Sequence, residues 1–156
     1  MQPYKCRLVI ADDNASIRET LRNTLASYDD LQIVGEAADG KEAIAIVETS
    51  EPDVVLTDVR MPMMNGVEAS SIIKGRWKSV VIVGLCTDRD GYTIDAFMRA
   101  GASAVAPKDR LEQLHLTIQR AFRQSRPWLF QSRGRDERVA GANTMPVYLL
   151  DQMKKP

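Results

Sequence analysis

Three aspartates and one lysine, each at the end of a short apolar run, are the residues of this chain best suited to chemistry. Asp12 and Asp13 close Leu8-Val9-Ile10-Ala11, Asp58 closes Asp53-Val54-Val55-Leu56-Thr57, and Cys86-Thr87 close the run from Val80; Lys108 follows the weaker run Ala102 to Ala106. Carboxylates gathered on one rim repel unless a cation joins them. An all-oxygen set with positions left for water suits Mg2+, or Mn2+. A lysine beside such a cluster fits an arriving anion, because its point charge pairs with phosphate. Where a metal neutralises phosphoryl oxygens, an in-line carboxylate is a competent nucleophile toward phosphorus, and Asp58 is placed for that role. The product is an aspartyl phosphate, an acyl phosphate labile to water. Helix capping alone accounts for one strand-end acid or two. It does not account for Asp12, Asp13, Asp58 and Lys108 on a single edge. Asp53, at the other end of its run, reads as a solvated turn residue.

The elements that must position these groups follow from periodicity. Ile17, Leu21, Leu25 and Tyr28 are spaced for one helix face, with Ser16 and Glu19 as a capping box. Leu31 to Ala37 reads as a second strand, and Asp39 with Glu42 caps a helix carrying Ala43, Ile46 and Val47. Pro52 breaks the chain before the third strand, and Pro62 and Gly66 mark a loop before a helix through Val67, Ile72 and Ile73. The fourth strand spans Val80 to Cys86, followed by an apolar face of Ile94, Phe97 and Met98 that Gly101 stops. Leu111, Leu114, Ile118, Ala121 and Phe122 mark the last helix. Five strand-then-helix units with apolar strands predict an α/β fold whose parallel sheet is covered on both faces. The expected architecture is flavodoxin-like and doubly wound, with five helices and strand order 2-1-3-4-5, and ligands bind at the carboxyl ends of its strands.

The chain has 156 residues, enough for one core. Its 21 basic and 21 acidic side chains balance, so it lacks the basic footprint of a nucleic-acid binder and the self-repelling charge of a disordered chain. Two cysteines, Cys6 and Cys86, make no disulfide framework. There is no apolar run near the roughly 20 residues of a membrane span and no signal-peptide core. The expectation is a cytoplasmic protein that contacts neither membrane nor, directly, nucleic acid. Residues 1–125 read as one domain and 126–156 as a partly ordered tail or linker of six basic and three acidic residues, in which Trp128, Leu129 and Phe130 can dock on the main domain or a partner. Cys6 reads as a small residue, and His115, the single histidine, lacks the surroundings of a phosphotransfer module.

Over residues 5–125 the chain resembles the receiver domain of two-component response regulators, and the LuxR-type subfamily in particular. The resemblance is carried by Ile10-Ala-Asp12-Asp13-Asn14, by Asp53-Val-Val-Leu-Thr-Asp58-Val-Arg-Met61-Pro62-Met-Met-Asn65-Gly66 and by Pro107-Lys108-Asp109. The intervals of 28 residues from Asp58 to Cys86 and 22 from Cys86 to Lys108 add to it. The resemblance implies that Asp58 is the phosphoacceptor for a sensor histidine kinase. It implies that Asp13, Asp58 and the backbone carbonyl of Arg60 ligate Mg2+, with Asp12 acting through a metal-bound water, and that Lys108 pairs with a phosphoryl oxygen. Arg60 and Asp88 match positions that tune the lifetime of the phosphorylated state. Partner binding or a homodimer would use the face of the fourth helix, fifth strand and fifth helix.

The sequence departs from the family at two positions. Cys86 stands where a Ser or Thr contacts the phosphoryl group, and Val105 where an aromatic ring moves with it. A thiol is a weaker donor than a hydroxyl. Thr87 substitutes only if the backbone turns or slips by one residue, because side chains alternate along a strand. The expected function is Mg2+-dependent, self-catalysed phosphoryl acceptance that switches binding, with autodephosphorylation as the sole turnover. Its rivals are a phosphorylation-independent adaptor and an aspartyl-nucleophile phosphatase of the haloacid-dehalogenase type. The latter commonly has a second Asp two residues after the nucleophile, where this chain has Arg60.

Overall fold

Val, Ile, Leu and Ala dominate the runs that become strands. In the computed structural model, which describes residues 4–87 and 91–130, those runs form one parallel sheet. The strands are β1 (Cys6–Ala11), β2 (Leu31–Ala37), β3 (Val54–Asp58), β4 (Val81–Cys86) and β5 (Ala104–Pro107), in the order β2-β1-β3-β4-β5. The helices are α1 (Ala15–Ala26), α2 (Gly40–Ser50), α3 (Gly66–Arg76), α4 (Gly91–Arg99) and α5 (Leu114–Ser125), the last preceded by a 3-10 turn at Leu111–Gln113. The flavodoxin-like reading of the sequence is the architecture observed.

Period-two alternation sends neighbouring side chains to opposite layers. Leu8, Ile10, Leu56 and Val83 meet Leu21 and Leu25 of α1 and Leu114, Ile118 and Phe122 of α5. Val9, Val55 and Ile82 meet Val47 of α2, Ile73 of α3 and Phe97 of α4. Strand register sets the functional edge. Ala11 lies opposite Thr57, Asp58 opposite Leu85, and Cys86 opposite Pro107. Asp12, Asp58, Cys86 and Lys108 are thereby brought to the carboxyl ends of adjacent strands.

Local details differ from the sequence reading for identifiable reasons. Asn14, rather than Ser16, caps α1, its side-chain oxygen accepting from the amides of Ser16 (2.9 Å) and Ile17 (3.2 Å). Asn14 has the extended backbone a cap requires, whereas Ser16 lies inside the first turn. Asp39 caps α2 as expected, accepting from the Glu42 amide at 2.8 Å. Gly101, at φ 103°, terminates α4, and the Ala102 amide bonds back to Phe97 O at 2.9 Å. That closure delays β5 to Ala104, two residues later than the apolar run suggests.

Two sequence expectations are corrected outright. Asp53 is not a solvated turn residue but is only 3% exposed, because donors from distant parts of the chain converge on its carboxylate. On α4, only Phe97 of the expected apolar face is buried, while Ile94 and Met98 remain 37% and 47% exposed. Phe97 packs directly over Gly84, where an added Cβ would lie 2.8 Å from the ring. With one large side chain holding α4 to the sheet, Phe97→Ala should cost about 3–5 kcal/mol. Urea denaturation of the variant tests this, and an unchanged midpoint would show that α4 is held by other contacts.

Candidate functional site

The centre of the site is a pair of buried carboxylates sharing one ammonium. Lys108 Nζ lies 2.6 Å from Asp12 Oδ2 and 3.0 Å from Asp58 Oδ2. Asp12 Oδ1 accepts from the Asn14 amide at 2.9 Å, while the Arg18 guanidinium donates to Asp12 O at 2.7 Å. Asp58 Oδ1 accepts from the Val59 amide at 2.8 Å. Burial pushes the Asp58 carboxyl up and the Asp12 charge adds to the rise; Lys108 opposes both but leaves it above its ordinary value. Burial pulls the Lys108 ammonium down, but hydrogen bonds to Asp12 and Asp58 outweigh it and hold the group above its ordinary value.

The loop after Asp58 is shaped by close backbone approach. The Gly66 amide donates to Val59 O at 2.9 Å, and a Cβ at Gly66 would fall 1.8 Å from Asp58 O. The Gly40 amide donates to Met64 O at 3.0 Å, and Met61 is buried beside Ala11, Ala37 and Ala43. The loop is thus pinned to α2, and Asp58 is fixed relative to Asp12.

Oxygen atoms of Asp12, Asp13 and Asp58 lie within 4.8 Å of one another, with Asp13 exposed and the other two buried. Buried Asp12 Oδ2 is met by the Lys108 ammonium. An all-carboxylate set with one solvent-facing member fits a divalent cation that retains waters, so Mg2+ and Mn2+ suit these residues.

The remaining candidates divide between two places. Thr87 is exposed, in a bend just past β4, and lines a groove of about 390 Å3 with Asn14, Ile17, Leu21, Lys108 and Leu111. Thr87 thus stands beside Lys108 at the end of β4. Cys86 is buried and borders a cavity of about 170 Å3 with Ile94, Val105, Ala106 and Pro107. Val105 is half-buried and lies opposite Gly84 in the β4–β5 register. Arg60 is exposed, two residues beyond Asp58; Asp88 lies outside the described residues.

Sequence reasoning missed Asp30, whose partners are 85 and 89 residues away. His115 Nε2 is 2.8 Å from its carboxylate, Gln119 donates to it at 2.7 Å, and the His115 ring stacks on Tyr28 at 3.7 Å. Burial raises the Asp30 carboxyl, but the bonds from Gln119 and His115 outweigh that and hold it below its ordinary value.

Comparison with known proteins is consistent with this geometry. The profile of the response regulator receiver domain matches residues 8–119, and the chain belongs to that family, the receivers of two-component systems. Two uncharacterized transcriptional regulatory proteins of Bacillus subtilis (strain 168) are similar to it. YhcZ is 38% identical over 66% of this chain and 48% of its own length, and YxjL is 38% identical over 79% and 57%. The chain thus spans about half the length of these relatives. Among solved structures, the receiver domain of the putative response regulator NarL from Mycobacterium tuberculosis superposes with a TM-score of 0.71 at 27% identity, over 76% of this chain and 98% of that one. The response regulator domain of Thermotoga maritima CheB gives 0.70 at 27% identity, over 76% and 96%.

Because the folded-state pKa of Asp30 is lowered, the stabilisation it provides is present above the ordinary value of 3.8 and is lost as pH falls through the folded-state value. His115→Ala should move the Asp30 titration upward, as read by carboxyl NMR. An unmoved titration would mean that Gln119 alone sets it.

Proposed function

We propose that this receiver accepts a phosphoryl group on Asp58 from the phosphohistidine of a sensor histidine kinase, in a reaction requiring Mg2+ or Mn2+, and that the phosphorylated state switches partner binding or dimerisation. The carrying observation is Asp58 Oδ2 lying 3.0 Å from Lys108 Nζ, with Asp12 and Asp13 oxygens within 4.8 Å. In the step, an Asp58 oxygen attacks phosphorus as the phosphorus–nitrogen bond to the donor imidazole breaks, and solvent returns the proton to that imidazole. Lys108 exchanges its contact with the Asp58 carboxylate for a phosphoryl oxygen. Asp12, Asp13, Asp58 and the Arg60 carbonyl would hold the cation. When bound, the cation supplies charge neutralisation at the phosphoryl oxygens. The groove lined by Ile17, Leu21, Thr87 and Leu111 opens beside Lys108 and suits the apolar flank of a kinase helix presenting its histidine.

Thr87 and Cys86 contact the phosphoryl group unequally in this reading, the hydroxyl being the better donor. Arg60 and Asp88 tune its lifetime. The exposed side chains of Tyr92, Ile94 and Met98 on α4 support the face of α4, β5 and α5 as the responsive surface, for a partner or a second copy. Among the described residues no helix is long and apolar enough to cross a membrane. We place the protein in the cytoplasm, with no external substrate turned over. Cys86 and Val105 sharing a cavity favour one second reading, an adaptor whose binding is independent of phosphate.

Intact mass after incubation with acetyl phosphate and Mg2+ tests the proposal. One added phosphoryl group is expected, absent without Mg2+ and absent in Asp58→Asn; labelling of Asp58→Asn at the parental rate would sink the assignment. Cys86→Ser should lengthen the lifetime of the adduct by up to about tenfold, the worth of one hydrogen bond of about 1.4 kcal/mol. A lifetime unchanged in Cys86→Ser but shortened in Thr87→Ala would give the donor role to Thr87.

A further inference from the structure

At the edge of the sheet opposite the carboxylate site, Asp53 gathers three donors from two distant parts of the chain. Tyr4 Oη donates to both carboxylate oxygens at 3.1 and 2.9 Å, the Arg7 amide donates to Oδ2 at 2.8 Å, and the Arg126 guanidinium donates to Oδ1. The Asp53 backbone is also engaged on both sides, its amide donating to Arg7 O at 2.8 Å and its carbonyl accepting from Val81 at 2.9 Å. The carboxylate is therefore immobile, and Arg126 comes to it from just beyond α5. Around this pair the aromatic rings interlock. Tyr4 stacks on Phe122 at 6.1 Å, Arg126 lies over Phe122 at 5.5 Å, and Phe130 meets Phe122 edge-on at 5.8 Å. Pro127–Leu129 form a 3-10 turn that lays Leu129 and Phe130 against the layer containing Cys6, Leu31 and Ile118.

We infer that residues 126–130 form a strap latched by the Arg126–Asp53 ion pair, and that opening this latch removes one wall of the groove between α5 and the starts of β1 and β2. Leu129 and Phe130 of the strap form one wall of that groove, a cavity of about 310 Å3 whose other walls include Tyr4, Cys6, Ile118 and Phe122. The cost structure of buried charge favours a latch over simple packing. A buried ion pair adds little net stability compared with apolar residues of the same shape, yet losing one partner leaves the other charge uncompensated, so the pair engages and releases as a unit. The strap lies at the edge of the sheet remote from Asp58.

The test is amide hydrogen exchange on the full chain, read at Arg126, Leu129 and Phe130, whose amides bond to Phe122, Arg126 and Pro127 carbonyls at 3.1 Å each. Arg126→Gln should speed exchange at these three sites by at least about tenfold, with β3 amides unchanged. Arg126→Lys, which keeps the charge but not the planar fork, should fall between. Because Arg126→Gln leaves Asp53 with an unmatched charge, the double variant Asp53→Asn/Arg126→Gln removes both. It should release the strap equally while phosphoryl uptake from acetyl phosphate stays at the parental rate. Unchanged exchange at the three sites in Arg126→Gln would overturn the inference. So would acceleration spread through β3 in both variants, which would make Asp53 a core residue rather than a latch.

Discussion

Two like charges buried a few ångströms apart at neighbouring strand ends cannot coexist without a cation between them, and in this protein that cation is Lys108. The lysine comes from the end of β5 and must cross β4 to reach β3 and β1. The intervening strand therefore has to end in small side chains, and Cys86 and Thr87 meet that condition. The same requirement explains why the loop after Asp58 is tied down by Gly66 and Gly40, since a displaced Asp58 would leave Asp12 and Lys108 mismatched. The Lys108 ammonium and a divalent cation suited to the same carboxylates answer one electrostatic demand.

The parts of this arrangement legible in the sequence are those written locally. Strands buried on both faces read as continuous Val-Ile-Leu runs, and because they are parallel, every acid or lysine that ends or follows such a run falls on the same edge. Asp12, Asp13, Asp58 and Lys108 could be found that way. Asp53 could not. Proline followed by aspartate reads as a turn, and what makes the residue a buried acceptor is Tyr4, 49 residues away, and Arg126, 73 residues away. Asp30 and His115 escape for the same reason. The α4 face misled differently. Its periodicity is genuine, but whether a periodic apolar side chain is buried depends on how far the helix stands from the sheet, which local spacing does not encode.

β3 gives the fold an unusual polarity. Its five residues are all buried, and an acid stands at each extremity of the run, Asp58 within the strand and Asp53 immediately before it. One acid is neutralised by an ammonium at an edge open to solvent and ligand. The other is enclosed by a phenol, a backbone amide and a guanidinium. Their chemistry diverges accordingly, because the first keeps an approach for a reacting partner and the second does not.

The packing of Phe97 over Gly84 has a mechanical corollary. Of the described α4 side chains, Phe97 alone is fully enclosed, while Ile94 and Met98 are each a little more than half covered. Gly84 is therefore as much a part of the helix's seat as the ring itself, because any side chain at that position would lift α4 from the sheet.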